Sequence, residues 1–433
     1  MARTGTHYVF KPLNVGRYAI WSLFALALIV APLVFTSSLA LTMLSQMGYL
    51  IIICLSYNIL LGQGGMLSFG HAVYVGLGSF IAIHAMNMAS KGALPVPLVL
   101  IPLVGGLGGI FFAALFGFVT TKKSGTTFAM ITLGIGELVA SMALMFPGFF
   151  GGEGGITTNR VYGSAFFGIT FGPQIQVYYL IAFYCFVCTV AMYAFTGTPL
   201  GRILNAVRDN PERVEFIGYN TQRVRYMAFM VSGFFAGVGG GLAAINFEIV
   251  NAADSLAAAR SGGYLLFTFL GGATFFFGPI IGAVLLVFAS ILLSELSKAW
   301  LLYLGLIFLF MVMYAPGGVA SLIMMNVRVA AFGKLRTLWV SYLALAGTAL
   351  GAILGVAAVV EMIYHIQLNA ALGPVVPFLG AKLDTHSLDT WFGAVFLMVT
   401  SIGLFEVTRR MFVQQWGTVQ EEIEREIKRR ETL

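Results

Sequence analysis

The side chains best placed to do chemistry lie in one charged stretch, Thr198 to Arg225, between two long apolar segments. Its ionisable side chains are Arg202, Arg208, Asp209, Glu212, Arg213, Glu215, Arg223 and Arg225. Charges of both signs do no covalent chemistry here, but they can pair with a partner's charges. Asp209-Asn210-Pro211 predicts the cap of a second short helix, with Pro211 in its first turn and Glu212 where the helix dipole favours an acid. The stretch therefore predicts either a helical hairpin that binds another protein or a solvated loop of mixed charge.

A second group of candidate residues lies inside apolar segments. Glu137 is near the middle of one of them, where a charged carboxylate costs about 2.5–3.5 kcal/mol. It should therefore face a polar cavity or be protonated. His71 begins a predicted helix after a glycine-rich break, and a single such histidine is either a path residue or a satisfied structural group. We take Ser68, His71, Thr132 and Glu137 as candidates to line a translocation path.

Motifs for covalent or nucleotide chemistry are missing from the sequence. The Gly333-Lys334 pair is followed by Leu335, so it is no phosphate-binding loop, and no H-E-x-x-H or G-x-S-x-G occurs. We predict no catalytic residue, no metal and no cofactor in this chain. A membrane enzyme or a structural scaffold is the least supported of the functional alternatives.

The composition predicts an all-α polytopic membrane protein. Of 433 residues, 59% are hydrophobic and only 9% are charged, and soluble domains have about 25% charged residues. A spanning helix needs about 20 apolar residues. The apolar segments are 18–36, 39–61, 66–88, 94–120, 127–146, 176–196, 226–250, 262–276, 278–294, 299–315, 338–361 and 389–408. This pattern predicts about ten core spans and two additional C-terminal spans.

Basic residues predict the orientation of these spans. If the N-terminus is cytoplasmic and every segment crosses, the outer side carries only Lys91, Arg160, Arg260, Lys298 and Lys382, and all other Lys and Arg are inside. This bias is the positive-inside pattern. It places both termini and residues 198–225 in the cytoplasm, with long outer loops at 147–175 and 365–388. The net charge of +7 thus reflects topology, and we predict no nucleic-acid partner.

The chain divides into four predicted regions: 1–38, an N-terminal tail and first span; 39–325, the core with its 198–225 loop; 326–408, a linker and two spans; and 409–433, a charged cytoplasmic tail. Glycine-rich breaks at 60–72 and 270–283 interrupt apolar segments in a way typical of transporters built from repeats. The tail has charges at three- and four-residue spacing, which predicts an exposed helix, either solvated or bound to a partner.

Several motifs resemble the LivM-type permease subunits of bacterial ATP-binding-cassette importers for branched-chain amino acids. The similar stretches are 58–62 with Leu67-Ser68-Phe69-Gly70-His71-Ala72, then 128–133 with Glu137, 151–156, 200–210 with Gly218, 278–283 and 315–318. The resemblance covers about residues 40–325. Its order and spacing carry the identification, because each motif alone is weak.

This resemblance implies a set of partners and roles. The 198–225 loop would dock on a separate cytoplasmic ATP-binding-cassette subunit through Arg202, Arg208, Asp209, Asn210, Glu212, Arg213 and Gly218. A second related permease subunit would complete the path, and a periplasmic substrate-binding protein would deliver substrate at 151–156. The chain would lie in the lipid bilayer of the bacterial inner membrane.

Two departures from the family pattern leave questions open. Glu153 stands where many relatives carry a smaller polar residue, so branched-chain amino acids, other amino acids, amides and urea all stay open as substrates. The two segments after residue 335 have no counterpart in the pattern. The alternative function is an ion-coupled secondary transporter of a small polar solute, based on Glu137 and the broken helices, although it assigns no task to 198–225.

Overall fold

The computed structural model describes residues 15–162, 170–368, 373–378 and 381–431, and the predicted tail before Val15 lies outside these ranges. Over the described residues the protein is helical, with two short antiparallel strand pairs. Among the described residues, eight helices are long and apolar enough to cross a membrane, or nine if the bent pair Trp300–Tyr314 and Gly318–Ala331 is one span. The predicted all-α membrane fold is confirmed, with fewer span-length helices than the twelve apolar segments suggested.

The chain forms two compact units, Met1–Val287 and Phe288–Leu433. Helices assigned to the first are α1 Val15–Val34, α2 Ser38–Asn58, α3 His71–Ser90, α4 Ile101–Thr120, α5 Gly125–Met145, α6 Pro147–Phe150, α7 Gln174–Gly197, α8 Pro199–Asp209, α9 Pro211–Phe216, α10 Thr221–Phe247, α11 Ala252–Ser255, α12 Ala258–Gly271 and α13 Gly278–Phe288, which ends at the boundary. Strands β1 Ile156–Thr157 and β2 Ile249–Val250 pair antiparallel.

Helix α10 is the centre of the N-terminal unit, packed against α2, α3 and α4. Glycines allow this close contact: a Cβ on Gly237 would lie 2.3 Å from the Gly105 carbonyl oxygen, and one on Gly109 would lie 2.2 Å from that of Gly233. Small residues let membrane helices approach until their backbones touch. These glycines therefore bring the backbones of α4 and α10 into contact.

Two breaks interrupt the helices of this unit. Helix α2 continues into one π-helical turn, Ile59–Gln63, and the chain then stays non-helical until His71 opens α3. Helices α12 and α13 are joined by 272–277, and a Cβ on Gly271 would lie 2.2 Å from the Gly278 carbonyl oxygen. Predicted segments 262–276 and 278–294 are thus short helices around a close turn. Hydropathy alone did not separate such helices from full spans.

The C-terminal unit is built around two long helices. Its elements are α14 Ser294–Leu296, α15 Trp300–Tyr314, α16 Gly318–Ala331, α17 Leu335–Leu368, β3 Val375–Phe378, β4 Ala381–Asp384 and α18 Leu388–Glu431. Helices α17 and α18 pack along each other, and β3 pairs antiparallel with β4 between them in the chain. A buried cluster of Val329, Leu338, Val419 and Ile423 fastens the end of α18 to α16 and α17.

Ion pairs on α18 follow the predicted spacing. Glu406 accepts hydrogen bonds from Arg409 at 2.7 Å and from Arg410 at 2.8 Å, three and four residues further along the helix. The charged tail, described to Glu431, is the continuation of α18, as the charge spacing indicated. The division of the chain at residues 325 and 408 stays a prediction.

Candidate functional site

The 198–225 stretch forms a pair of short helices, α8 and α9. The Thr198 hydroxyl accepts a hydrogen bond from the Gly201 amide at 3.2 Å, and the Asn210 side chain accepts one from the Arg213 amide at 3.0 Å. Proline is at the start of both helices, where its missing N–H costs nothing. The local sequence signals thus predicted this hairpin correctly. We call residues 198–218 the coupling hairpin.

Helix α8 has a buried face and an exposed face. Gly201, Leu204 and Val207 are buried, and Arg202 and Asp209 are exposed. A Cβ on Gly201 would lie 2.3 Å from the Phe195 carbonyl oxygen, so α8 begins in contact with the end of α7. The buried face fixes α8 on the membrane core, and its charges remain available to a partner.

Arg208 joins the coupling hairpin to the broken end of α2. Its Nη1 donates to the Gly62 carbonyl oxygen at 2.5 Å, and its Nε donates to Asp209 Oδ1 at 3.0 Å. Beside it, Asn205 Nδ2 donates to Gln63 Oε1 at 2.9 Å. The acceptors Gly62 and Gln63 belong to the π-helical turn, so displacement of α8 must move that turn.

Helix α9 is fixed to the start of α10. Thr221 Oγ1 donates to Glu215 Oε1 at 2.7 Å, and Val214 is buried. Gly218 has φ +90°, a conformation that favours glycine, and it lies just after the end of α9. Glu212 and Arg213 are exposed. The exposed charges of the hairpin therefore lie on two short helices that are packed against α7 and α10.

Sequence reasoning missed the apolar tip of this hairpin. Phe216 is 91% exposed and Ile217 is 72% exposed, and the nearby Tyr219 is also exposed. Large apolar side chains at such exposure are typical of interaction sites. The signal was an apolar pair directly before a glycine in an otherwise charged stretch.

Three of the four predicted path residues meet at the break between α2 and α3. Thr132 Oγ1 accepts a hydrogen bond from the Phe69 amide at 3.1 Å and donates to the Ala129 carbonyl oxygen at 2.8 Å. Tyr57 donates to the Ser68 carbonyl oxygen at 2.9 Å. All of these side chains are buried. The contacts hold the non-helical segment against α5.

His71 is oriented by Ser56, whose Oγ lies 2.9 Å from its Nε2. Ser56 Oγ also donates to the Ile53 carbonyl oxygen at 2.7 Å, which favours His71 Nε2 as the donor of the pair. Within the described residues, His71 Nδ1 and Ser68 Oγ have no hydrogen-bond partner. His71 is thus only partly satisfied, and the break retains unused polar atoms.

Comparisons with known proteins show what the chain resembles. The family model "Branched-chain amino acid transport system / permease component" matches residues 39–317, more than half of the chain. The chain belongs to this permease family. It is a multi-pass transport subunit of the ATP-binding-cassette importer type, as its motifs predicted.

Individual relatives agree with this assignment. The high-affinity branched-chain amino acid permease proteins LivM of Escherichia coli K12 and Salmonella typhimurium LT2 are each 27% identical over 292 residues, 62% of this chain and 67% of the relative. The ribose import permease protein RbsC of Haemophilus influenzae is 24% identical over 233 residues, 51% of this chain and 68% of the relative. No solved structure matches this permease significantly.

Glu137 of the permease lies apart from the other three candidates. It is exposed on α5, on a face that also carries the exposed Thr127, Gly134 and Ser141. The expectation that Glu137 faces a polar cavity or is protonated stays a prediction. The same face also carries the large exposed side chains Met130, Leu138 and Met145, as a lipid-facing helix does, and a charged carboxylate among them would be costly in lipid.

The glycine-rich segment of the permease is fastened to the end of α10. A Cβ on Gly155 would lie 2.4 Å from the Val250 carbonyl oxygen, and Asn251 Nδ2 donates to the Glu153 carbonyl oxygen at 3.2 Å. Arg160 donates to the Phe171 carbonyl oxygen at 2.9 Å and, through its amide, to Glu248 Oε1 at 2.8 Å. In its described parts, the predicted outer loop 147–175 is thus held against residues 248–251 by hydrogen bonds and close packing. Residues 163–169 lie outside the described ranges.

Metal-binding groups do not gather in the described part of the permease. No three His, Cys, Asp or Glu side chains there could hold a metal ion together, and Cys54, Cys185 and Cys188 are buried free thiols. The described site carries charged, hydrogen-bonding and apolar groups that suit recognition of a partner or a small molecule.

Proposed function

We propose that this permease subunit moves branched-chain or related amino acids across the bacterial inner membrane, driven by a separate cytoplasmic ATPase that grips the coupling hairpin. The observation that carries the proposal is the bond from Arg208 to the Gly62 carbonyl oxygen, since it ties the hairpin to the broken end of α2. A surface loop without a mechanical role would need no such connection.

The coupling step divides the residues into two groups. Phe216 and Ile217 would insert into a groove of the ATPase, with Arg202, Asp209, Glu212 and Arg213 pairing at the rim. Arg208, Asn210 and Gly218 would hold the shape of the hairpin and transmit its movement. ATP-driven closure of the ATPase pair would pull the π-helical turn and shift the segment that carries Ser68 and His71.

The proposed orientation and partners follow from charge and exposure. Both termini would be cytoplasmic, because the basic residues gather on that side. A second related permease subunit would cover the α5 face with Glu137, so that this carboxylate lines the path between two chains. A periplasmic binding protein would dock near 151–156. The substrate class rests on the names of the two LivM relatives, which match more of the chain than RbsC does.

The test compares two exposed phenylalanines. The variant Phe216→Ala should lose most ATPase co-purification and ATP-driven uptake, because truncation of a central aromatic anchor costs about 2 kcal/mol or more of binding free energy. Phe396→Ala removes a similarly exposed ring from α18, and should leave both readouts unchanged. Equal behaviour of the two variants would refute the docking role of the hairpin.

A second arm tests the energy source. Proteoliposomes with the intact importer should take up amino acid only when ATP is supplied inside. Uptake by this chain alone under a proton gradient, abolished by Glu137→Gln, would instead support the ion-coupled alternative.

A further inference from the structure

A cavity of about 290 Å³ lies between α2, α3, α10 and α12, close to the glycine-rich segment 151–156. Its floor is apolar, with Ile53, Val75 and Phe247 in the lining. Such cavities bind small ligands when a few polar groups converge on an apolar surface. None of the residues predicted for the coupling or the path lines this cavity.

The charged groups of this cavity belong to α11 and α12. Arg260 donates to Asp254 through Nε at 3.0 Å and through Nη2 at 2.5 Å. Within the described residues its Nη1 makes no hydrogen bond, and the two side chains are 48% and 63% exposed. A guanidinium and a carboxylate thus stand side by side with donors and acceptors to spare.

Two tyrosines complete the polar edge. Tyr49 and Tyr264 line the cavity and are each only 6% exposed, and neither hydroxyl has a hydrogen-bond partner among the described residues. The Arg260 guanidinium is close enough to interact electrostatically with both. The rings are packed away from solvent while both hydroxyls remain accessible in the cavity, so the pair can donate hydrogen bonds to a ligand.

We propose that this cavity is a holding site for a zwitterionic α-amino acid with an apolar side chain. The ligand carboxylate would accept from Arg260 Nη1 and the tyrosine hydroxyls, its ammonium would donate to Asp254, and its side chain would lie on the apolar floor. A neutral sugar would leave the charged pair without a task. The inference rests on the proposed importer function and adds a site to it.

The experiment uses the intact importer in proteoliposomes, with radiolabelled L-leucine, saturating loaded binding protein and internal ATP. Arg260→Gln should lower leucine moved per ATP hydrolysed about tenfold or more, because a charged hydrogen bond is lost. Hydrolysis stimulated by the loaded binding protein should persist. Tyr264→Phe keeps the ring and should lower the ratio less, about threefold. Lys91→Gln, an exposed outer charge away from the cavity, should change nothing.

A charge swap separates a binding role from a structural one. Asp254→Arg with Arg260→Asp keeps an ion pair but reverses its polarity, so the leucine ratio should stay low. Recovery to wild-type values would show that the pair only fastens α11 to α12, and would overturn the site. So would an Arg260→Gln importer that matches Lys91→Gln. If the wild-type importer moves no amino acid with ATP, the proposed function fails and the holding site fails with it.

Discussion

The two compact units of this permease use similar apolar sequences in different ways. In the N-terminal unit, 78% of the most apolar 18-residue stretch of α10 is buried within the chain. The corresponding stretches of α17 and α18 are each only 11% buried. Helix α10 contacts α2, α3 and α4, whereas α17 and α18 pack mainly on each other. Hydropathy therefore marks a helix as membrane-compatible without saying whether lipid or protein surrounds it.

Glycines make close backbone contacts in both units, with several helices around α10 but with one neighbour for α17. On α10, a Cβ at Gly240 would lie 2.1 Å from the Val75 carbonyl oxygen, and on α17 a Cβ at Gly355 would lie 2.6 Å from Met398 Cα of α18, whereas Gly347 and Gly403 have nothing within 4 Å. Close backbone contact commits a helix to one set of neighbours. The N-terminal unit is thus built as one packed body that can transmit movement, and α17–α18 resembles a simple helical hairpin.

The largest expected effect comes from filling a glycine contact in the packed unit. Gly237→Ala should destabilise the fold by about 3 kcal/mol or more, because its Cβ would meet backbone of α4 that cannot move aside alone. Gly347→Ala should be neutral or slightly stabilising, since alanine is the better helix former. Apparent melting temperatures by fluorescence-detected size-exclusion would compare them. If Gly237→Ala has the same apparent melting temperature as the wild type, the close glycine contact does not distinguish the N-terminal unit from α17 and α18.

A smaller effect is expected for the link between the coupling hairpin and α2. Arg208→Gln should lower ATP-driven uptake about tenfold, since a charged hydrogen bond to the Gly62 carbonyl is lost, with the ATPase still bound. The uptake of Arg208→Lys should lie between those of the wild type and Arg208→Gln, because an ammonium group cannot reproduce the planar guanidinium that reaches both Gly62 and Asp209. Arg425→Gln, in an exposed ion pair on α18, is the control. Loss of ATPase binding with Arg208→Gln would reassign this arginine to the docking surface.

The sequence predicted local features well and distant pairings poorly. The predicted cap before Pro211 is confirmed at Asn210, because capping depends on residues two or three positions away. Glu137 was grouped with His71 by chemistry alone, but the rotation of α5 about its axis places the carboxylate outside. The same limit hid the cavity, since Tyr49 and Arg260 meet only in three dimensions. Phe216 was missed because its charged neighbours dominate any average over the stretch.

A disruption confined to the C-terminal unit should leave transport nearly intact. Ile423→Asp places a charge in the buried cluster with Val329, Leu338 and Val419, and should cost about 2–5 kcal/mol of local stability. Hydrogen exchange in the tail of α18 should then rise, whereas uptake should stay within about twofold because the change lies in the other compact unit. Glu424→Gln, an exposed neighbour, should alter neither. Uptake that falls as far as with Arg208→Gln would show that the tail serves the transport cycle.

The smallest effect concerns the exposed ion pair that joins the start of α17 to the tail. Lys334 Nζ lies 2.6 Å from Glu422 Oε2, and this hydrogen bond raises the pKa of Lys334 above its ordinary value. Because the pKa of Lys334 is higher in the folded protein, the ion pair contributes fully to the free energy of unfolding at pH values below the ordinary lysine pKa. This contribution is lost only as the pH rises through the pKa of the folded state. Tail hydrogen exchange, corrected for its intrinsic pH dependence, should therefore be the same at pH 6 and pH 9. Lys334→Gln should change it slightly and equally at both, since exposed pairs contribute little. If tail hydrogen exchange differs between pH 6 and pH 9 in the wild type but not in Lys334→Gln, the pKa of Lys334 is not raised and the prediction is wrong.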